Sequence, residues 1–440
     1  MKTFLRGSVA ATVLLASSAF AAEPVVIVTS FPDTMTTVIE KAFEEAHPEY
    51  DLEVLNKSTS SGVKYIQEIA GSNTADLFWA SAPDAFEVLK SGDHLAKVGI
   101  KVDGIPDMIG SYPMNDPDGA YYGFAASGYG IMWNERYLAA NELEPARDWS
   151  DLKKPEYHGH VGMSAPSRSG TTHLTVETLI QGEGWEKAWA DWKWIAGNFA
   201  SVTERSFGVP DGVNTGNFGL GIVIDFFGFS SKASGFPVDF AYPSVTALVP
   251  ANIGVVSNAP NEEGAKTFIK YLLSPAGQKT LFNPAIMRLP VNPASYADAP
   301  EGLPNPFGEG AIAASVKFDV DTSGKRYYVV SSLFDVMITY RLDDLRAAVR
   351  AVQMAEAKHA DGSNAEAKEL IAEARKLIEK TPITEAQSLD PSLNGAFTKR
   401  RKKATDTVDR RQAEIEQEWD AQVTANYALA KQLADKAAAM

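Results

Sequence analysis

The densest group of potential ligand donors is Ser167-Arg168-Ser169-Gly170-Thr171-Thr172, between an expected strand and a helix beginning near His173. Hydroxyls at such a boundary cap the helix, and glycine lets a ligand approach the backbone. The unpaired N–H groups converge at the positive end of the helix dipole. A phosphate or carboxylate fits there, and an ordinary N-cap accounts for the same residues. Ser58-Thr59-Ser60-Ser61-Gly62 repeats the arrangement after a second strand, while Ser30 and Ser81 hold equivalent places after the first and third. Four such edges in one chain favour a binding site built from Ser30, Ser60, Ser61, Gly62, Ser81, Ser167, Ser169, Gly170, Thr171 and Thr172. Acids would repel an anion. Asp225, closing the apolar run Ile222–Ile224, and Asp211, in Val209-Pro210-Asp211-Gly212-Val213, are therefore assigned to ligand hydroxyls. Asp211 reads equally as a turn residue.

Catalysis has one opening, because Ser169 and His173 lie four apart and acids are plentiful. A triad is defined by geometry, and the chain has no Gly-x-Ser-x-Gly elbow. No catalytic residue is assigned, and a secreted hydrolase using Ser169 is kept as the rival class. His158-Gly159-His160 lacks a third ligand nearby, so no metal is assigned, and no cofactor.

These residues need elements to hold them. From Val25 to Ala251 short apolar runs alternate with amphipathic segments, the pattern of α/β units around a mainly parallel sheet. Strands are expected at Val25–Thr29, Leu52–Asn56, Asp76–Trp79, Gly130–Trp133, His160–Met163 and Leu220–Asp225. Small polar residues follow each, at the carboxyl edge where open α/β sheets bind ligands. The turn cluster and extended stretch from Asn115 to Ser127 is a candidate crossing between lobes, with Ser127 counted among the ligand-binding residues. A return crossing is placed near Tyr242–Ala251.

Beyond Leu333 the composition shifts to Ala, Glu, Lys and Arg with helical spacing. A helix is expected over Leu333–Lys358, then a break at Asp361-Gly362, then a second helix capped by Ser363 or Asn364. A long last helix is expected from Asn394 to the C-terminus. Its stripe Val408, Ile415, Trp419, Val423 and Tyr427 packs on the other helices or a lobe, or docks a second protein or a second copy. The basic run Lys399–Lys403 reads as a solvated face and is left without a function.

Composition narrows the classes. Lys2 and Arg6 flank a short apolar run, Val9–Ala16, ending in Ser18-Ala19-Phe20-Ala21, which is the pattern of a cleavable secretory signal over residues 1–21. The absence of cysteine from the sequence rules out a lipid on an N-terminal Cys, a disulfide or thiolate chemistry. Formal charge is −15, and −17 once Lys2 and Arg6 are removed, which disfavours nucleic acid and anionic membrane as partners. A small anion can still be held by backbone N–H groups. Location is expected to be the periplasm, without a lipid anchor.

Several stretches together resemble the extracellular solute-binding proteins of ABC importers, in the branch with ferric-iron, phosphonate, hexose-phosphate and phosphoglycerate-associated members. They are Ala75–Trp79 with Ser81–Phe86, Tyr129–Asn134, Pro166–Thr171 and, most distinctively, Phe268–Gln278 (Phe-Ile-Lys-Tyr-Leu-Leu-Ser-Pro-Ala-Gly-Gln). The likeness covers Pro24 to Phe307. It implies a two-lobed α/β periplasmic-binding-protein fold of type II with hinge crossings, here followed by an all-helical C-terminal extension. The lobes would be 22–124 with 252–332, and 125–251, with the extension at 333–440. Ferric-binding members use adjacent tyrosines where this chain reads Asp225-Phe226-Phe227-Gly228-Phe229, which weighs against the ferric alternative. Ser201–Val213, Ile224–Gly228 and Arg288–Val291 resemble the hexose-phosphate and phosphoglycerate-associated subgroup. That resemblance implies a phosphate held by Ser169–Thr172 and Ser60–Gly62. It adds Ser206 and Arg205 to the site, Arg205 pairing with the anion or in a structural salt bridge. The implied partners are a small anionic solute, an inner-membrane ABC permease, and a membrane sensor or a second copy through the C-terminal helices.

Overall fold

The computed structural model describes residues 22–101, 103–109, 112–308, 312, 314–397 and 404–440. The expected signal segment, residues 1–21, and the basic run Lys399–Lys403 lie outside the described residues.

β-Branched runs such as Val25-Val26-Ile27-Val28 suit a pleated, buried surface, and they form the first sheet. Three parallel strands lie in the order Tyr50–Asn56, Glu23–Thr29 and Leu77–Ala80, with Val25 opposite Leu52 and Ile27 opposite Leu77. Helices Asp33–Ala46, Thr59–Ile69 and Pro83–Ser91 follow these strands in turn, burying Ile39, Phe43, Val63, Ile66, Phe86 and Leu89. Each therefore begins at the carboxyl edge of the sheet.

The molecule has two lobes, and two long strands connect them. Tyr122–Asn134 is buried along its whole length. Its first half pairs antiparallel with Leu248–Val255 of the first sheet, and from Tyr129 onward it pairs with Leu220–Ile224 of the second. The change of partner falls at Gly128-Tyr129. Thr246 locks it by donating to Tyr129 O at 2.9 Å. Glycine is required beside it, because a Cβ on Gly130 would lie 2.2 Å from Ala241 O. The second lobe continues with Val161–Ser164 and Phe199–Thr203, parallel to each other, while Val238–Ala241 covers the end of the crossing strand. The sequence pattern missed Phe199–Thr203, Val238–Ala241 and Leu248–Val255. The last contains Pro250 and Gly254, which break the apolar run by which a buried strand is read.

The C-terminal region differs from its expected division. The helix expected over Leu333–Lys358 is two helices, Tyr327–Phe334 and Leu342–Lys358, joined by a wide turn at Asp335–Thr339 in which Tyr340 N donates to Asp335 O. Ala365–Glu379 is capped by Asn364. The last helix runs over Arg410–Ala439 and does not begin at Asn394, whose side-chain amide bonds Ser388 O at 2.7 Å and closes the short helix Pro391–Asn394. Ile415, Trp419, Val423 and Tyr427 are buried, while Val408 precedes the helix and is half-buried. Their partners are within the chain: Trp419 stacks on Phe397 at 5.3 Å, and Tyr427 donates to Met337 O.

The extension shares one core with the second lobe, centred on the tryptophan-rich helix Trp185–Ala196. Trp185 donates to Ile383 O, and Trp194 to Glu379 Oε1. Among the described residues no helix is long and apolar enough to cross a membrane.

Lys193 lies fully buried at this junction with its ammonium donating to Lys380 O at 2.9 Å. Burial pushes its pKa down from 10.5 to about 7, with Glu379 opposing the shift. Between those two values the unfolded chain binds the proton that the folded chain releases, so Lys193 makes stability rise with pH. Urea unfolding of the wild type against Lys193→Met from pH 7 to 10 should show the wild type gaining on the variant, by a few kcal/mol at most. Parallel curves would refute the assignment.

Candidate functional site: a cleft between the lobes

The carboxyl edges of both sheets open onto one cleft. From the first lobe come Ser30, Phe31 and Pro32 after strand Glu23–Thr29, Ser58 and Thr59 at the start of helix Thr59–Ile69, and Ser81 before helix Pro83–Ser91. The second lobe contributes Arg168, Ser169 and Thr171 at the start of helix Gly170–Glu183, Arg205 and Ser206 after strand Phe199–Thr203, and Phe226 and Phe227 at the start of helix Asp225–Ala233. Helices from both lobes thus aim their N-termini at one space, which favours negative charge. The lobes lie close. Gly170 N donates to Thr59 Oγ1, Ser60 Oγ donates to Ser167 O at 3.0 Å, and Arg205 Nη2 donates to Asn56 Oδ1 at 3.2 Å. About 10 Å³ is left at the floor, which is room for one water. Outside it a vestibule of about 530 Å³ lies between Asp33 and Asn56 on one side and Phe207, Asp211 and Asn214 on the other.

Of the residues singled out from sequence, Ser30, Ser81, Ser169, Thr171, Arg205 and Ser206 line this cleft. The others fall around it. Ser169 Oγ also caps its helix by accepting from Thr172 N. Ser61 N donates to Ser58 Oγ, which is the cap of its own helix, and Gly62 is pressed on the Phe78 ring. Ser167 and Ser127 are buried, and neither hydroxyl has a hydrogen-bond partner among the described residues. Asp211 lines the vestibule. Asp225 is held beneath the floor: Oδ2 accepts from Gly128 N at 2.7 Å and from Tyr242 OH at 2.8 Å, and Oδ1 accepts from Phe226 N. It is engaged with both crossings.

Sequence reasoning named Arg288 only within the stretch Arg288–Val291 and gave it no role. Its side chain is fully buried, and Nη2 donates to Ser81 Oγ at 2.8 Å. The guanidinium lies 3.8 Å from the Phe226 ring and 4.4 Å from that of Phe31, one ring from each lobe. Nε and Nη1 have no hydrogen-bond partner among the described residues. Burial lowers its pKa to about 9, opposed by Asp225 and Tyr129. A usable signal existed in the sequence, since Ile286-Met287-Arg288-Leu289-Pro290-Val291 sets one cation in an apolar run. Arg168, in the densest motif, was also passed over as a site residue. It bonds Val202 O and Thr203 O and comes within 3.8 Å of Glu204.

The histidines are used elsewhere. His160 Nδ1 meets Tyr137 OH at 2.8 Å, His158 Nδ1 meets Gly197 O, and His173 contacts Asp84, Ser323 and Ser331 in the interior.

Two α/β lobes on crossing strands, with helix N-termini from both opening onto the space between them, have the architecture of a solute-binding protein. The profile of the bacterial extracellular solute-binding proteins matches residues 72–315. The chain belongs to that family, whose members bind solutes. It is 31% identical over 373 residues to the phosphoglycerate transport regulatory protein PgtC of Salmonella typhimurium, covering 84% of this chain and 89% of the relative. The periplasmic binding protein AfuA of Actinobacillus pleuropneumoniae, solved with fructose 6-phosphate, superposes with a TM-score of 0.64 at 19% identity, over 72% of this chain and 99% of AfuA. The apo ferric ion-binding protein A of Pasteurella haemolytica superposes at 0.56 and 16% identity, over 71% and 97%. The last two likenesses are of fold.

Burial raises the Asp225 pKa to about 6, against the pull of its three donors and of Arg288. An acid raised in the folded state adds stability below its unfolded value, near 4, and loses it as pH rises through about 6. The thermal midpoint of the wild type minus that of Asp225→Ser should therefore fall between pH 4 and pH 7. A difference that grows over this range would show the carboxyl to be stabilised as the anion.

Proposed function

We propose that this protein is the periplasmic solute-binding component of an ABC import system and captures a small phosphorylated organic anion between its lobes. Residues 22–124 with 252–332 form one lobe in this reading, residues 125–251 the other and residues 333–440 an appended helical region. Export follows from residues 1–21.

Arg288 carries the reading. A fully buried guanidinium with two donor atoms that have no partner among the described residues is costly to keep, and an anion with several acceptor oxygens at the cleft floor offsets that cost. Ser30, Ser81, Ser169, Thr171 and Ser206 supply neutral hydroxyls to the same oxygens, and Asp211 and Asn214 in the vestibule suit the hydroxyls of the organic part. The likeness to a phosphoglycerate transport regulatory protein supports a phosphate ester as cargo and a regulatory role beside transport. Phe226 and Phe227 in the cleft offer no phenolate, which favours this cargo over ferric ion.

Thermal unfolding against 3-phosphoglycerate, fructose 6-phosphate, inorganic phosphate and ferric ion tests the proposal. A bound ester at 100 times its Kd should add about 2.7 kcal/mol of stability. Replacing the charged donor by Arg288→Met should weaken binding by about 2 kcal/mol, roughly 30-fold, and Ser169→Ala by less. A shift with ferric ion alone, or an ester shift unaffected by Arg288→Met, would overturn the assignment. Turnover of the ester, lost in Ser169→Ala, would make the protein a hydrolase.

A further inference from the structure

The helices that open onto the cleft meet again behind it. Helix Pro83–Ser91 of the first lobe carries Asp84 three residues after Ser81, and helix Gly170–Glu183 of the second carries His173 two residues after Thr171. Asp84 Oδ2 and His173 Nε2 are 3.0 Å apart, and both side chains are fully buried. A third segment reaches them, the lead-in to the helical extension formed by helices Val320–Lys325 and Tyr327–Phe334. Ser323 Oγ donates to Asp84 Oδ2 at 2.9 Å and lies 3.3 Å from His173 Nε2, while Ser331 Oγ lies 3.4 Å from His173 Nδ1. One turn beyond His173, Glu177 accepts from Arg326 Nε and Nη2, each at 2.9 Å. The lead-in segment is thus bound to the second lobe by Arg326 and to the first by Ser323.

We propose that Asp84, His173 and Ser323 form an interlobe latch, through which the seating of residues 320–334 and the closure of the lobes are one event. Opening moves Asp84 away from His173. Each is buried, and a carboxylate stripped of its partners in the interior costs several kcal/mol unless water or another donor replaces them. The serine hydroxyl touches both groups, so the lead-in segment cannot keep both contacts once the lobes part. Its displacement passes along the chain to Tyr327–Phe334, which is packed in the core shared by the second lobe and the extension. Asp84, His173 and Ser323 are positioning residues: they touch no cleft surface and act on the solute through the angle between the lobes. The inference rests on the capture reading only in needing lobes that open and close.

The cysteine-free chain makes the test direct. Lys64→Cys on helix Thr59–Ile69 and Lys232→Cys on helix Asp225–Ala233 place exposed spin labels on opposite lobes. Interlobe distances are then measured by electron–electron double resonance without added solute. Ser323→Ala and His173→Gln should lower the closed-to-open ratio about tenfold or more and speed amide exchange in residues 320–334. Gln181→Ala is the control. Its side chain bonds Asp319 N and O and Glu177 Oε2 but touches neither Asp84 nor His173, so it should open the lobes far less than the two latch variants. Folded Ser323→Ala and His173→Gln proteins with the wild-type distances, a wild type already as open as they are, or equal opening by Gln181→Ala would each overturn the latch. Because no solute is added, failure of the phosphate assignment leaves these outcomes decisive.

Discussion

A guanidinium kept from water must be surrounded by something, and the disposition of groups around Arg288 sets how the two lobes can meet. Phe31 comes from the first lobe, Phe226 from the second and Phe124 from the crossing strand, so the cation is held where rigid bodies converge. Aromatic faces stabilise a cation by about 0.5–2 kcal/mol each, far below the cost of dehydrating it. Asp225 adds a countercharge and Ser81 a single hydrogen bond. Two donor atoms have no partner among the described residues, a deficit that an oxyanion is chemically suited to fill. A neutral or cationic solute would leave that deficit in place.

The same region explains why Asp225 lies below the ligand surface. Its carboxylate joins Gly128, where the first crossing changes sheets, to Tyr242, just before the second crossing. Glycine at 128 lets the Tyr242 ring approach, since a Cβ there would stand 2.7 Å from it. The hinge is therefore a cross-linked pair of strands, not a loose connection. Rotation between the lobes must be accommodated around a carboxylate whose three contacts are all short. Arg288 and the hinge are thereby electrostatically coupled, and the charge state of one bears on the geometry of the other.

Much of this was legible in the sequence, and the reasons for the rest are specific. The strands at Val25 and Leu220 are unbroken apolar runs, and the serine-bearing edges at Ser30, Ser58–Gly62, Ser81 and Ser167–Thr172 announced themselves by composition. Four residues singled out this way, Ser30, Ser81, Ser169 and Thr171, line the cleft, beside Arg205 and Ser206 that the resemblance added. Ser61, Gly62 and Thr172 look the same in sequence but serve helix caps and packing, because which N–H groups of a first turn face a ligand depends on helix orientation. Arg288 lies more than a hundred residues from Ser169, and only the fold brings it under Ser81. The extension's stripe declared one apolar face, but periodicity does not say what covers it. Here the cover is internal, reached through Trp185–Ala196 and Phe397.

The extension also changes what closure requires of this molecule. In a bare two-lobed protein the interface on the far side of the binding helices faces solvent, and water can hydrate any polar group that opening exposes. Here residues 320–334 cover that side, and Asp84, His173 and Glu177 are buried beneath them together with the segment's own Arg326. Polar contacts in such a place hold strongly when complete and are costly when half broken. The proposed latch would therefore disfavour intermediate angles and push the lobes toward discrete states. A binding protein that only delivers solute gains little from this. One whose state is read by another protein gains a sharp difference between empty and filled, expressed on the outer helices and not only at the cleft mouth. Because the Ile415–Tyr427 stripe is used internally, a partner that read the proposed difference on the last helix would meet its polar outer face.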